Sequence, residues 1–541
     1  MNGKLLLVLF FISSVVSAQT NRYFVFFKDK SNSSFSITNP TVFLSQRSID
    51  RRKKQKVSII EEDLPVNLTY VQQVKATGAK TFFTSKWWNG VLVECNSATV
   101  TLIDALPFVI KTELVAPNSK LIGGRIDREE NENKVISGAN ASSNVTEFQL
   151  AQLGLDKMQE LGFKGEGINI AQFDSGWQGV DINAPFQHLY KEGRVKDVIN
   201  FVKNTTNVYV DDSHGTEVLS VMAGYSAGSF IGGVYKANYF LYQTEELPTE
   251  YRIEEYNWTF AAERADSAGV DVINSSLGYN TFDLSSMDYT YADMTGKKTV
   301  VGIAARKAIE KGMLVVSSAG NEGAKSWKYI TTPADVEGLL AVGSITSSGS
   351  QSSFSSFGPT ADGRYKPDVV ALGSGTSVIT ASGSISSASG TSLASPLVAC
   401  LAAGLVQAYP TIGAREIYNA IVKSGSQALA PDNAKGYGIP NFLSASNSLY
   451  QLRQVEDISI YPNPIFSSSG IPLTISFKEP AGSVSITFYD LFGRIVTDIK
   501  ETLTQSNNPL RFDLSSLSSG LYILEVKSQK SNILMKIVKG N

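Results

Sequence analysis

The sequence predicts an α/β protein. Its central feature is a doubly wound, mostly parallel sheet over residues 145–453, with a small α+β block before it (19–144) and a small all-β sandwich after it (454–541). Three observations carry this reading. Continuously apolar runs such as "INIAQFDSG", "VDVINSSLG", "GMLVVSSAGNEG" and "LLAVGSIT" are spaced by helical patterns such as "AAERADSAG" and "VVGIAARKAIEKG", and strands buried on both faces by crossover helices read this way. The tail, with "SITFYDLFG", "LRFDLSSLSSGLYILEVKSQ" and "NILMKIVKG", alternates apolar and polar residues between Gly, Ser and Asn turns, the pattern of a small sandwich. At 541 residues the chain is also long enough for roughly three or four domains.

The first block follows a leader. "MNGKLLLVLFFISSVVSAQT" has Lys4, an apolar run from Leu5 to Ile12, and small residues ending Val16-Ser17-Ala18. It reads as a signal peptide over 1–18, too short to span a bilayer. No later stretch is long and apolar enough to predict a transmembrane segment in the mature protein. Within 19–144, "RYFVFFKDK" and "NGVLVECNSATVTLIDALPFVIKTEL" read as strands flanking polar helical stretches. The basic run "RSIDRRKKQK" (Arg47 to Lys56) fits a processing site or an anion patch, and is expected to be a solvated helix face. "REENENKVISGANASSNVTE" lacks apolar periodicity and is expected to be an exposed linker.

In the central block the strands end in polar, glycine-containing turns: "AQF" at Asp174, "DVIN" at Ser275-Ser276, "LVV" at Ser317-Ser318-Ala319-Gly320-Asn321. Ligands of doubly wound sheets bind beyond the carboxyl ends of the strands, so these turns are expected to share one cleft. Composition limits its chemistry. A 43% hydrophobic, 18% charged chain with a formal net charge of −2 supports sizeable cores and carries no footprint of a nucleic-acid partner. Only His188, His214, Cys95 and Cys400 are present, too few for His/Cys metal sites or a disulfide framework.

Acyl transfer needs a nucleophile, a base near neutral pKa, an acid that fixes the base's tautomer, and donors for the developing oxyanion. His214 stands in "VDDSHGTEVLSVMAG", ahead of an amphipathic helix, whereas His188 in "NAPFQHLYKEGR" lacks that context and is expected to be structural. Asp174 in "FDSG" supplies an acid at a strand end, and Asn321 in "SSAGNEG" an amide in a glycine-bounded loop. Ser392 lies in "SASGTSLASPLVACLAAGLVQAYP" at a helix start, where the dipole favours negative charge. Pro396 is expected within or just past the first turn, where losing an N–H costs least. Cys400 is expected to be buried and inert.

Six segments in one order, "FDSG", "HGTEV", "SSLG", "SSAGNEG", "SSFGPTADGRYKPDVVALG" and "GTSLASP", resemble the subtilisin-like serine proteases over residues 145 to 450. The resemblance implies a subtilisin-like fold and a serine endopeptidase with Ser392 as nucleophile, His214 as general base, Asp174 as orienting acid and Asn321 as oxyanion donor. It also implies that Ser276, Leu277 and Gly278 form an edge that pairs with substrate backbone, and Ala319 and Gly320 the facing wall. The first block then sits where such proteases carry an inhibitory propeptide. The tail, with "ISIYPNPIF", "FYDLFGRIV" and "SGLYILEV", is similar to the C-terminal sorting domains of the type IX secretion system of Bacteroidetes, which implies passage through the outer membrane to the surface or medium. The implied partners are protein or peptide substrates, the chain's own propeptide and the secretion machinery. No Asp/Asn cluster at calcium-loop spacing stands out, so no metal or other cofactor is expected and calcium is not assigned. The competing reading from another class is a catalytically silent scaffold used for surface binding.

Overall fold

The computed structural model describes residues 20–117, 144–247, 249–463, 465–466, 472–479, 482–528 and 532–540, with the backbone alone over 451–457. The expected signal peptide and most of the expected linker lie outside these residues.

The first unit holds β1 (Asn21–Phe27), α1 (Gln46–Lys54), α2 (Leu68–Ala76), β2 (Lys80–Ser85), β3 (Gly90–Cys95), α3 (Ser97–Asp104) and β4 (Val109–Ala116). The strands form an antiparallel sheet ordered β2-β3-β1-β4. Asn67 and Asn96 cap α2 and α3 through their side-chain oxygens, satisfying N–H groups that a helix start leaves unpaired. The period-2 alternation of β1 splits its side chains. Tyr23, Val25 and Phe27 join the unit's own core, whereas Phe24 and Phe26 face the central unit.

The central unit is a seven-stranded, fully parallel sheet. Its strands are β5 (Asn169–Asp174), β6 (Val195–Asn200), β7 (Asn238–Gln243), β8 (Val272–Ser275), β9 (Leu314–Ser318), β10 (Leu340–Ile345) and β11 (Val369–Leu372), ordered β11-β10-β9-β8-β5-β7-β6. The four runs picked out in the sequence are β5, β8, β9 and β10. The chain winds from β5 outward to β6 and β7, then crosses to β8 on the other side, so β5 and β8 flank the switch point. Two helices, α4 (His214–Ala223) and α7 (Thr391–Ala408), cover one face; α5 (Ile253–Ala268) and α6 (Val300–Glu310) cover the other. Alternate strand residues divide accordingly: Ile170, Leu241, Val272 and Val316 pack under α4 and α7, and Ala171, Phe240, Ile273 and Val315 under α5 and α6. This is the doubly wound α/β fold the apolar runs predict. Among the described residues α7 is the one helix long and apolar enough to cross a membrane, and 83% of it is buried. It is the core helix of this unit.

The first unit docks on α5. Phe24 stacks on Tyr256 with ring centroids 4.5 Å apart, and Trp87 and Leu92 join the same core. At the far end of α5, Arg51 and Arg52 of α1 reach Asp266 at 2.6 and 2.8 Å. Arg52 also pairs with Asp63 at 3.0 Å, and Lys86 with Asp266 at 2.8 Å. Expected to be a solvated helix face, the basic run instead has Arg51 and Arg52 buried. A charge run alone cannot tell a solvated face from a paired interface, and here the compensating carboxylates come from elsewhere in the chain.

The third unit has a three-stranded sheet (Ile458–Tyr461, Leu473–Phe477, Leu510–Phe512) and a five-stranded sheet (Ile465–Phe466, Gly482–Tyr489, Ile495–Leu503, Gly520–Ser528, Asn532–Gly540). Ile475 and Phe477 of one sheet share a core with Ile486, Phe488 and Val526 of the other, as in a sandwich. A helix over Phe442–Asp457 leads into it, so the expected boundary at 453/454 falls inside this helix.

Candidate active site

Asp174 ends β5 and is fully buried. Its Oδ1 accepts from His214 Nδ1 at 2.7 Å and from the backbone N–H of Ser175 at 2.9 Å, and its Oδ2 accepts from Gln172 Nε2 at 3.2 Å. Ser175 Oγ lies 3.2 Å from Asp174 Oδ1 but only 2.5 Å from Asp212 Oδ2. A hydroxyl has one proton to give, and the shorter bond takes it. Because Nδ1 donates to the carboxylate, Nε2 is the acceptor nitrogen of the neutral ring. His214 is the first residue of α4. Gly215 lets the helix start pack this closely, since a Cβ there would stand 2.4 Å from the Gly176 carbonyl and 3.1 Å from Asp174 Cβ.

Ser392 is the second residue of α7. Of the N–H groups at this helix start, that of Thr391 goes to Asn321 Oδ1 at 3.0 Å and that of Leu393 to the Gly390 carbonyl. Among the described residues none accepts from the N–H of Ser392, which is left as a donor. Thr391 Oγ1 donates to Asn321 Oδ1 as well, at 2.9 Å. Two donors on one atom fix the orientation of the amide and leave Nδ2 as its free donor. A Cβ on Gly390 would stand 2.8 Å from Ser392 Oγ and 3.8 Å from Asn321 Nδ2, so the backbone ahead of α7 has to be bare for the hydroxyl and the amide to share this space.

Pro396 is the sixth residue of α7, just past the first turn, where an N–H would already have had a helical partner. Its missing N–H would have bonded the carbonyl of Ser392. That carbonyl accepts instead from Ser276 Oγ at 2.8 Å. Asn274, at the end of β8, donates to the same Ser276 Oγ at 3.2 Å and accepts from Ser395 Oγ at 2.9 Å. The proline thus opens a bond in the helix that the end of the neighbouring strand fills, tying Ser392 to the sheet.

His214, Ser392, Asn321, Ser276–Gly278 and Gly320 line one cleft of about 270 Å³. Asp174 lies behind it, under His214. Ala319 is not brought to the cleft: it is buried, its N–H donates to the Val342 carbonyl, and its carbonyl accepts from Thr331. His188 sits away from the cleft with Nε2 at 3.1 Å from the Tyr235 carbonyl, and burial lowers its pKa. Cys400 is a free, buried thiol whose pKa burial raises strongly.

A family profile described as "Subtilase family" matches residues 165–438. The chain belongs to the subtilase family. Residues 22–134 match "Peptidase S8 propeptide domain, Bacteroidota", and residues 459–540 match "Secretion system C-terminal sorting domain". This subtilase is therefore a serine peptidase by family, made with a propeptide, and its sorting domain addresses it to the cell surface or the medium. It is 31% identical to Subtilisin of Bacillus pumilus over 267 residues, which is 49% of this chain and 86% of that one. Against Subtilisin NAT of Bacillus subtilis subsp. natto the identity is again 31% over 267 residues, but the match spans only 62% of that protein's length. Subtilisin DY of Bacillus licheniformis is 29% identical over 292 residues, 54% of this chain and 95% of that one.

The sequence reading missed several residues in and behind the subtilase cleft. Gln172 holds both Asp174 and, through the Gly215 carbonyl at 3.0 Å, the start of α4. Its place two residues before the strand-end acid was the available signal. Glu245, Glu250 and Glu254 also line the cleft. Among the described residues they are the one acidic group placed to hold a metal ion. They follow β7, a strand the apolar pattern had not marked.

Proposed function

We propose that the chain is a secreted serine endopeptidase that hydrolyses peptide bonds through an acyl-enzyme, with Ser392 as nucleophile. His214 takes the Ser392 proton through Nε2 and later gives it to the leaving amine; Asp174 holds the ring in that tautomer and stabilises its cation. The Ser392 N–H and Asn321 Nδ2 are the donors for the oxyanion. Ser276, Leu277 and Gly278 pair with the substrate backbone along one side, with Gly320 opposite and Ala319 supporting it from below. The observation that carries this reading is the 2.7 Å bond from His214 Nδ1 to Asp174, with His214, Asn321 and Ser392 lining one cleft. The proposed mechanism uses the chain's own groups and needs no metal or other cofactor.

The same reading assigns residues 1–18 to a signal peptide, 19–144 to an inhibitory propeptide, 145–453 to the catalytic domain and 454–541 to the tail that engages the secretion machinery. The docking of Phe24, Arg51 and Arg52 on α5 supports a propeptide held firmly on the catalytic unit. Intact-mass analysis of secreted wild type beside Ser392→Ala tests this. The wild type is expected to lose the first unit near residues 120–145 and the variant to keep it. The same shortened N-terminus in both would assign maturation to another protease.

A further inference from the structure

We propose that the Glu245, Glu250 and Glu254 carboxylates form a subsite that takes the cationic head of a lysine or arginine side chain of the substrate. This rests on the reading of the cleft as peptide-binding and names the side-chain class it selects. The three glutamates sit on the turn after β7 and on the first turn of α5, and they line the same cleft as His214 and Ser276.

Their geometry asks for a cation. Three carboxylate oxygens, one from each, lie within 4.8 Å of one another. Glu254 is 1% exposed. Its Oε1 accepts the Glu246 N–H at 2.8 Å, while its Oε2 is buried without a hydrogen-bond partner. No cation among the described residues pairs with Glu254. Lys325, the lysine in the cleft lining, lies 3.5 Å from Glu322. A buried carboxylate oxygen left without a donor is costly, and burial together with Glu250 and Glu245 pushes the Glu254 carboxyl well above its ordinary range. The start of α5 offsets part of this through its dipole, but supplies no donor to Oε2.

An incoming ammonium meets the requirement. It has three donors, and three acceptors each about 2.8 Å from one tetrahedral nitrogen stand about 4.6 Å apart, within the observed limit. The Glu245 carboxylate is already oriented, since Tyr279 and Thr244 donate to its Oε1 at 2.6 and 3.0 Å. A divalent ion such as calcium would want six to eight oxygens, and one lodged here would occupy the cleft a substrate has to enter.

The test uses purified secreted enzyme and a peptide library carrying Lys, Arg, norleucine or Glu at each position around the cut. The expected result is a preference for Lys or Arg over norleucine of at least tenfold in kcat/KM at one position. That ratio should fall towards one in Glu254→Gln and, independently, in Glu245→Gln. Equal rates for Lys, Arg and norleucine at every position in a wild type whose Ser392 reacts with a fluorophosphonate overturn the subsite and leave the protease reading standing. A calcium requirement that affects neutral and basic peptides alike assigns the cluster to a metal and also overturns it. If the protein neither cleaves nor reacts, the protease reading fails. Calorimetric binding of the same Lys and norleucine peptides to it then decides the subsite, with equal affinities counting against it.

Discussion

Ser276 Oγ donates a 2.8 Å hydrogen bond to the carbonyl of Ser392, the carbonyl that Pro396 deprives of its helical partner. A residue on the proposed substrate edge thus repairs the helix that carries the proposed nucleophile. The end of β8 and the start of α7 are held as one piece.

Ser276→Ala should leave that carbonyl buried and unpaired, at a cost of about 1–3 kcal/mol. Adding Pro396→Ala supplies an N–H four residues on and should recover most of the loss. Denaturant unfolding of the single and double variants, in a Ser392→Ala background that prevents autolysis, measures the coupling. Additive losses would show that the two groups do not share the carbonyl.

Asn321→Ala removes the free Nδ2 donor beside Ser392. Loss of such a donor in subtilisin itself lowers turnover about 10²–10³-fold, a figure carried over from that relative, and a loss of that order is expected here with KM little changed. Thr391→Val removes one of the two bonds that orient the amide, so a smaller loss in kcat of the same kind should follow. Steady-state kinetics on one peptide substrate separates them.

Asp174→Asn keeps the shape of the side chain but replaces a carboxylate that accepts from His214, Ser175 and Gln172. The new amide would place a donor against a donor on one side, favouring the wrong imidazole tautomer. The corresponding change in another triad lowers kcat roughly 10⁴-fold. A variant within tenfold of wild type would remove Asp174 from the mechanism.

The propeptide interface should be acid-sensitive. Burial pushes the Asp266 carboxyl up, but Lys86, Arg51 and Arg52 outweigh it and hold its pKa below the ordinary value. A carboxylate depressed in the folded state stabilises it at any pH above its unfolded value near 3.8, and that contribution is lost as pH falls further. Docking of the first unit should therefore weaken below about pH 4. Asp266→Asn should weaken it at neutral pH too, by about 3–5 kcal/mol, because buried cations are left unpaired. Urea unfolding of the unprocessed Ser392→Ala chain across pH reads both effects.

Glu255 has the opposite sign. It is fully buried in α5, accepts from Tyr289 and from the Val301 N–H, and burial pushes its pKa up to about 7. The folded state resists ionising it, so this residue is harmless below about pH 4 and destabilising in full above pH 7. Glu255→Gln keeps an acceptor without the charge. It should leave stability unchanged at pH 4 and raise it by about 3 kcal/mol at pH 8, as read by thermal or urea unfolding.

What the sequence made legible follows from where polar residues interrupt apolar strands. β5, β8 and β9 were readable because each ends in a polar glycine turn, and those turns carry Asp174, Ser276 and Asn321. β6, "VKDVIN", was not, since an edge strand with half-exposed charged residues lacks the apolar run of a central one. The burial of Arg52 could not be read because its partner Asp266 is 214 residues away. Pro396 falls just past the first turn, as expected, but the sequence could not show that an N–H there would have had a helical partner, the Ser392 carbonyl, which Ser276 satisfies instead. The glutamate cluster was hidden because Glu245 and Glu254 look like ordinary turn and helix-start residues until the fold brings them together.

The central claim is that Ser392 is a nucleophile activated by His214. The most direct measurement is reaction of the mature enzyme with a fluorophosphonate, followed by mass mapping of the adduct in wild type and in His214→Ala. The account predicts one stoichiometric adduct on the peptide containing Ser392 in the wild type and loss of nearly all labelling in the variant. An adduct elsewhere, or equal labelling of Ser392 without His214, would contradict it.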